Sequence, residues 1–573
     1  MLTNLTPSKA ILFGFIYLSS FTANAQWSSD PAANTPVSAA LSQQEFPKLV
    51  SDGAGGAIIT WRDFRGGLSL DIYAQRIDAT GNVVWTTGGI PICTATGDQL
   101  DPSLTSDGAG GAIIAWSDNR FGTFAGPALF AQRIDAGGNS LWAADGVQIT
   151  PDSTVSGTAV LLADGLGGAF IAWTDIRQES GITGDIYAQH LNAAGAEQWT
   201  TDGIAVCGLL LDQGYPVIVS DNTGGAIIAW EDARDPFDIN IYAQRVNSTG
   251  AIQWTADGVK LSTGLDHDRY PVSVANGSGG AIIAWLGSGS NSFVYAQNVD
   301  ASGIKLWAID GARVDTTNYY SYKPQICSDG SGGAFVTWES LTTVVSARRI
   351  DAAGTVQGAA STPVTSTTFT QKKPQIVSDE MGGAMIVWQD ERSGFFNTQL
   401  YAQNLSGTGS VMWEADAALI SSCTTAPPDE DYDYNNDAQM IADGNGGAIV
   451  TWMRYGATND FPDVYAQLIG PGGISPPLVT AINSPNTLKS SIQNKPNPFK
   501  GKTAIEFSIE NPSQVKISVI NMFGQEVAMV LNSNLSVGKH TINYDASDLA
   551  TGVYSLQLHT SSGISSTQMV ITR

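Results

Sequence analysis

The stretch Ser51-Asp52-Gly53-Ala54-Gly55-Gly56-Ala57-Ile58-Ile59-Thr60-Trp61 decides the fold, because variants of it recur along the whole chain. The second Gly of the pair falls at 56, 111, 168, 225, 280, 333, 383 and 447, at spacings of 55, 57, 57, 55, 53, 50 and 64. Self-similarity at a fixed period marks a repeat architecture, here of eight units. Each unit reads as four short strands. Strand a is Pro-x-apolar-x-apolar, as in Pro216-Val217-Ile218-Val219. An Asp-Gly-x-Gly-Gly turn follows, where Gly supplies positive φ. Strand b is Ala226 to Trp230, strand c is Ile241 to Val246, and strand d is expected around Trp254, before Asp257-Gly258.

Four strands per unit at this period point to an all-β, eight-bladed β-propeller. A solenoid would have a shorter period, and a lone four-stranded unit is too small to bury a core. Strand b is expected to supply Trp61, Trp116, Trp173, Trp230, Trp285, Trp338, Trp388 and Trp452, and strand d to supply Trp85, Trp142, Trp199, Trp254, Trp307 and Trp413. That leaves Trp27. Gln26-Trp27-Ser28-Ser29-Asp30 resembles Gln253-Trp254-Thr255-Ala256-Asp257, so the N-terminal segment is expected to complete the eighth unit, which runs out after Val464-Tyr465-Ala466-Gln467. Such a closure leaves no open edge. The alternative places a degenerate strand at Ile474 to Thr480 and leaves Trp27 outside the ring.

Composition narrows the function classes. The chain has 573 residues, 53 Asp+Glu against 28 Lys+Arg, net charge −25 and a pI near 4.3. This excludes the basic footprint of a nucleic-acid binder and attachment to anionic lipid by charge. Lys9, the apolar run Ala10 to Tyr17 and Ala23-Asn24-Ala25 form a signal-peptide pattern over 1–25, with cleavage between Ala25 and Gln26. The run is short for a membrane anchor, and no later segment is long and apolar enough to span. The four Cys (Cys93, Cys207, Cys327 and Cys423) show no metal or disulfide spacing and read as buried thiols.

The propeller is expected over 26–472, a Gly/Pro/Ser-rich linker over 473–493 and a separate small β-sandwich, Ig-like in pattern, over 494–573. From Lys489 onward seven basic residues meet five acidic ones, so the acidity belongs to the propeller. The tail carries Asn497-Pro498-Phe499, Thr503-x-Ile505-x-Phe507, Asn521-Met522-Phe523-Gly524-Gln525-x-Val527, Gly538-x-His540 and Leu549-x-x-Gly552-Val553-Tyr554. In these motifs it resembles the type A C-terminal sorting domain of type IX secretion cargo, a family of the Bacteroidetes lineage. The resemblance implies passage through the periplasm, the type IX translocon as partner, removal of the tail, and secretion or display on the outer-membrane surface. It is silent on the propeller, because one tail serves many cargoes.

Antiparallel order puts the a–b and c–d turns on one side of the ring and the b–c and d–a loops on the other. The a–b turns are nearly uniform and the c–d turns read as short, whereas the b–c and d–a loops vary, so their face is the expected binding face. It carries Phe121, Phe124, Phe237, Tyr319, Tyr320, Tyr322, Phe395, Phe396, Tyr432 and Tyr434, suited to stacking on sugar rings or to a protein contact, or else simply packed in loops. Asp431-x-Asp433-x-Asn435 has the alternating oxygens of a Ca²⁺ loop but lacks its Gly and its closing Glu; apart from that calcium no cofactor is expected. Trp-x-Asp-x-Arg recurs with Asp63/Arg65, Asp118/Arg120, Asp175/Arg177, Asp232/Arg234 and Asp390/Arg392, and recurrence argues for a structural pair rather than chemistry. The recurring Gln75, Gln132, Gln189, Gln244, Gln297, Gln403 and Gln467 read likewise as buried amides. His267, between Asp266 and Asp268, is the one His in a candidate loop, and no nucleophile elbow or phosphate loop is present. The expected function is a non-catalytic, exported binding protein for glycan or protein. The alternative is a carbohydrate-active hydrolase with a carboxylate pair on the same face; a purely structural surface protein is a third reading.

Overall fold

The structure is a computed structural model. It describes residues 27–572 apart from positions 29, 39, 41, 236, 548 and 550 and the segments 123–126, 153–154, 178–182, 263–266, 289–291, 316–320, 341–343, 359–361, 395–397, 423–434, 456–460, 474–491, 510–512, 521–525 and 561–562. The expected signal peptide over 1–25 and Gln26 beyond its expected cleavage point lie outside this set. Two compact units form, Met1–Leu478 and Val479–Arg573. Among the described residues all regular structure is β, and no helix is long and apolar enough to cross a membrane.

In the first unit the described strands make eight four-stranded antiparallel sheets. Sheet 1 shows the pattern, with strand a Gln44–Ser51, b Ala57–Asp63, c Asp71–Ile77 and d Ile90–Cys93. Strand b is buried on both faces, which is why Ala57-Ile58-Ile59-Thr60-Trp61 reads as a continuous run rather than an alternation. Ile59 and Trp61 pack with Ile449, Val464 and Ala466 of sheet 8, while Ile58 packs with Ala112 and Ile114 of sheet 2. Each such side chain contributes about 1.5–3 kcal/mol of burial. The a strands lie side by side in chain order, and that of sheet 8 (Asn435–Ala442) returns to lie beside that of sheet 1.

The a–b turn is held by its Asp. Asp52 Oδ1 accepts from the N–H groups of Ala54 and Gly56, both at 2.8 Å, and Oδ2 accepts from Arg76 Nε at 3.0 Å. A Cβ on Gly56 would stand 2.2 Å from the Ile77 carbonyl oxygen, so no larger residue fits. Gly89 (φ +87) lies against the Trp61 ring, 2.5 Å from where its Cβ would be. The strand c amides behave as expected: Gln75 Nε2 donates to Thr86 O at 2.8 Å and its Oε1 accepts from Arg76 N and Trp85 N.

Strand d is not where the sequence placed it. In sheet 4 it is Val259–Lys260, after Asp257-Gly258, and Trp254 lies in the connection that precedes it. The c–d connections are therefore long, 78–89 in sheet 1. An aromatic beside a turn looks like a strand centre, but this indole points sideways to the next sheet. Trp254 Nε1 donates to Ala301 O at 3.0 Å, and Trp85, Trp142, Trp199, Trp307 and Trp413 do the same to Ala136, Ala193, Ser248, Ala352 and Pro471. Gly358 stands near the corresponding place in sheet 6.

Trp27 belongs to this series. Its Nε1 donates to Ala79 O of sheet 1 at 3.0 Å, while Gln467 Nε2 of sheet 8 donates to Ser28 O at 2.6 Å, as Gln75 does to Thr86. The d strand of sheet 8 is Thr35–Ser38, paired antiparallel with Pro462–Ile469. The N-terminal segment thus completes the last sheet and joins it to the first.

In the second unit Ile492–Lys495, Lys502–Ile509 and Gly538–Asp545 form one antiparallel sheet. Glu526–Leu535, Ser513–Ile520, Gly552–Thr560 and Gly563–Ile571 form another. They share one core, including Phe499, Ile505, Phe507, Ile517, Leu556 and Ile571.

Candidate functional site

Strand a departs from regularity at one point. In sheet 4 the register to strand b slips between Gly214 and Val217, and Tyr215, directly before Pro216, takes φ 54. The same slip recurs in sheets 1, 2, 5, 6 and 7, and places Phe46, Asp101, Tyr270, Lys323 and Lys373 at φ 52, 51, 55, 46 and 49, each before a Pro. Sheet 3 has Gly157 (φ 81) there. A β-bulge re-aims its extra residue. Left-handed φ is uncommon for bulky residues and stores strain, which clusters at functional positions.

The bulge also frees a backbone N–H, and the neighbouring sheet receives it. Tyr270 N donates to Glu231 Oε1 at 2.7 Å, Lys373 N to Glu339 Oε1 at 2.5 Å, and Phe46 N to Met453 Sδ at 3.3 Å across the seam between sheets 8 and 1. Burial pushes the Glu231 carboxyl above its ordinary value, while the Tyr270 N–H and Arg269 pull it back.

These bulges surround a cavity of about 720 Å³ on the a strands of sheets 3 to 8. Tyr215, Tyr270, Lys323 and Lys373 line its rim, with Gln325, Gln375 and Gln439 on its wall. The bulge lies near the start of each strand, at the end fed by the d–a loops, so the cavity opens toward the variable face. Tyr215 and Tyr270 are 66% and 50% exposed and meet edge-on, ring centroids 6.5 Å apart. Lys323 Nζ lies 3.6 Å from Glu339, and Lys372 Nζ 2.5 Å from Glu391. Asp212 is the one carboxylate among the described lining residues, and its Oδ1 accepts from Gly184 N at 2.8 Å.

The residues expected from sequence are only partly brought together. Phe237 is 87% exposed at the b–c loop of sheet 4. Phe121 is partly spent on packing, its ring 6.2 Å from Phe130. Tyr322 precedes the lining Lys323 and is 39% exposed. Phe124, Tyr319, Tyr320, Phe395, Phe396, Tyr432 and Tyr434 lie outside the described residues, as do Asp431 and Asp433 of the calcium reading; Asn435 opens the a strand of sheet 8. Among the described residues no group of three or more His, Cys, Asp or Glu could hold a metal ion. Sequence reasoning missed the bulge residues, although a signal existed: the residue before the strand a Pro changes type from repeat to repeat while its surroundings persist.

The Asp/Arg pairs are structural. Asp118 Oδ2 accepts from Trp116 Nε1 at 2.7 Å, Oδ1 accepts from Arg120 N and Nε, and Arg120 Nη2 reaches Asp145 O at 2.8 Å while its guanidinium lies 3.7 Å over the Phe130 ring. The same set recurs around Asp63, Asp175, Asp232 and Asp390. Cys93 and Cys207 lie under two of these pairs, and burial pushes both thiols up to about 12; Cys327 is buried as well, and all three are free. Cys423 lies outside the described residues. His267 Nδ1 accepts from Ile239 N at 3.2 Å and stands 3.9 Å from Asp238, which uses it as a loop contact.

In the tail, Asn497 Oδ1 accepts from Val570 N at 2.8 Å, and buried Phe499 exchanges backbone hydrogen bonds with Val570 and Thr572. The Asn-Pro-Phe phrase thus ties the last strand down. Gly552 and Val553 pair with Ile571 and Val570, and Tyr554 packs on the core; Gly524 and Gln525 lie outside the described residues.

Residues 496–572 match the family of secretion system C-terminal sorting domains. The C-terminal unit is a type IX sorting domain, and the protein is one exported to the cell surface or secreted. No curated protein matches the chain. Solved structures similar to it include a protein of unknown function from Dyadobacter fermentans (10% identity, TM-score 0.33, covering 56% of this chain and 95% of that one). Others are an ulvan lyase of a new polysaccharide lyase family (11%, TM-score 0.41, 67% and 96%) and an α-L-arabinofuranosidase from Fusarium graminearum with an iminosugar inhibitor (11%, TM-score 0.32, 65% and 93%). Likenesses at this level bear on neither activity nor substrate.

Proposed function

We propose that this is an exported, non-catalytic binding protein that engages a glycan or protein through the b–c/d–a face of an eight-bladed β-propeller. In this reading residues 1–25 are the signal peptide, 26–472 the propeller, 473–493 the linker and 494–573 an Ig-like sorting domain recognised by the type IX translocon of a Bacteroidetes cell. The observation that carries it is the cavity at the loop-side end of the a strands, rimmed by strained side chains, Tyr215, Tyr270 and Lys323 exposed and Lys373 half-buried, that differ between repeats. The hydrolase alternative uses two facing carboxylates. The described lining offers Asp212, and the recurrent Asp/Arg pairs are consumed in holding each sheet together. Screening the exported chain on a glycan array, with and without EDTA and with product analysis, tests the reading. Binding without released product is expected. Turnover abolished by a single carboxylate substitution with binding retained would establish the hydrolase instead, and loss of binding in EDTA would restore the calcium loop.

A further inference from the structure

We infer that the cavity takes an uncharged sugar bearing a methyl group, as an acetamido sugar or a 6-deoxy sugar does. The methyl lies against Val160, Val217 and Val272, and the hydroxyls turn toward Gln325, Gln375 and Gln439. The inference rests on the binding reading above and narrows it to one ligand class and one place.

The wall of the cavity is divided. One position of strand a, the first residue paired with strand b after the register slip, contributes to it from six sheets. Sheets 3, 4 and 5 place Val160, Val217 and Val272 there, paired with Ala172, Ala229 and Ala284. Sheets 6, 7 and 8 place Gln325, Gln375 and Gln439 there, paired with Thr337, Val387 and Thr451. All six are half-buried and line the cavity. Sheets 1 and 2 carry Lys48 and Ser103 at the same position, so the fold itself requires neither Val nor Gln. The a strands lie side by side in chain order, which makes the three valines one stretch of wall and the three glutamines the next.

The charged groups at the cavity already have partners within the protein. Lys323 Nζ lies 3.6 Å from Glu339, Lys373 is engaged as well, and Asp212 accepts from Gly184 N. Recognition therefore falls to uncharged groups. Gln325 and Gln375 make no side-chain hydrogen bond to a described residue, so each amide is open to donate and to accept.

This division selects against a plain hexose, which carries hydroxyls around its whole edge. Those on the valine side would lose water and gain no hydrogen bond, which weakens binding. A methyl in their place removes that loss and buries apolar area instead. On the glutamine side, hydroxyls or an acetamido N–H and C=O find amides that both donate and accept. Tyr215 and Tyr270, exposed at the rim and edge-on with centroids 6.5 Å apart, offer ring surface to the C–H side of the sugar. A volume of about 720 Å³ falls within the range of small-ligand sites, about 300–1,000 Å³.

Titration calorimetry on the full exported chain tests this with two matched pairs. One is the N-acetylglucosamine trimer against the glucose trimer of the same linkage; the other is L-rhamnose against L-mannose. In at least one pair the methyl-bearing member is expected to bind at least about tenfold more tightly, with an affinity indifferent to salt. Val217→Thr combined with Val272→Thr keeps the shape and should erase that preference. Gln325→Leu combined with Gln375→Leu should weaken both members of the pair. Tyr270→Gly suits the left-handed backbone at φ 55, so it should weaken binding without lowering the unfolding temperature, which separates recognition from folding. Lys305→Gln, outside the cavity, should change nothing. Equal binding within both pairs, or no heat with any of the four sugars, overturns the inference. A preference that survives the valine, glutamine and tyrosine variants overturns it too, by placing the sugar elsewhere on the face. The array decides the broader reading separately: a glycan bound there without the methyl preference keeps that reading and ends this one.

Discussion

Asp118 is buried, and its two oxygens serve an indole, a guanidinium and a backbone N–H at once. Removing the cation leaves that carboxylate buried without its counter-charge, a change that costs about 3 kcal/mol where the pair is well buried. Arg120→Met should therefore destabilise the first unit by about 2–3 kcal/mol in chemical denaturation, and Arg120→Lys should not rescue it, because the bidentate fork is lost. Asp71 gives the opposite sign. It is buried opposite Asp63, and burial together with repulsion from Asp63 raises its carboxyl from 3.8 to about 6. The folded state thus holds a proton that the unfolded chain has already released, so stability falls as pH rises from about 4 to about 6. Asp71→Asn should raise stability at pH 7 by about 1 kcal/mol after allowance for solvent screening. Thermal unfolding at pH 7 and near pH 4 checks this, with the gain expected at the higher pH alone.

At the scale of elements, the repeat phrase carried most of the reading. Asp-Gly-x-Gly-Gly leads to a turn in which only Gly fits at position 56, and Ala-Ile-Ile-x-Trp leads to a strand buried on both faces. Strand d was misplaced because it is short and weakly patterned, while the Trp before it dominates the local composition; its indole belongs to the next sheet rather than to its own ladder. The bulge residues escaped because strand a was read from the Pro onward, and the informative residue is the one before it. The similarity of Trp27 to Trp254 did locate the N-terminal segment. Trp27→Ser removes a buried ring and the bond to Ala79. It should cost about 3–5 kcal/mol, with proteolysis beginning at strands Thr35–Ser38 and Pro462–Ile469. A variant that is cleaved first elsewhere would contradict a closing role for the N-terminal segment.

At the scale of the molecule, the C-terminal unit is an address, and the proposed function assigns ligand binding to the other unit. The tail is folded around its own motif residues, with Asn497 and Phe499 holding the last strand. Deleting 496–572 should leave the remaining chain folded but retained inside the cell envelope, as measured by cell fractionation. Asn497→Ala should reduce surface delivery, since Val570 N then loses its side-chain partner. The first unit presents two unlike faces: turns repeated nearly unchanged, and loops that vary around a strained rim. Hydrogen exchange of the exported chain, with and without a glycan that it binds on the array, tests this division most directly. The account predicts protection confined to segments 213–217, 268–272, 321–325 and 371–375. Protection at the opposite turns, such as 52–56 and 78–82, or no change anywhere, would contradict it.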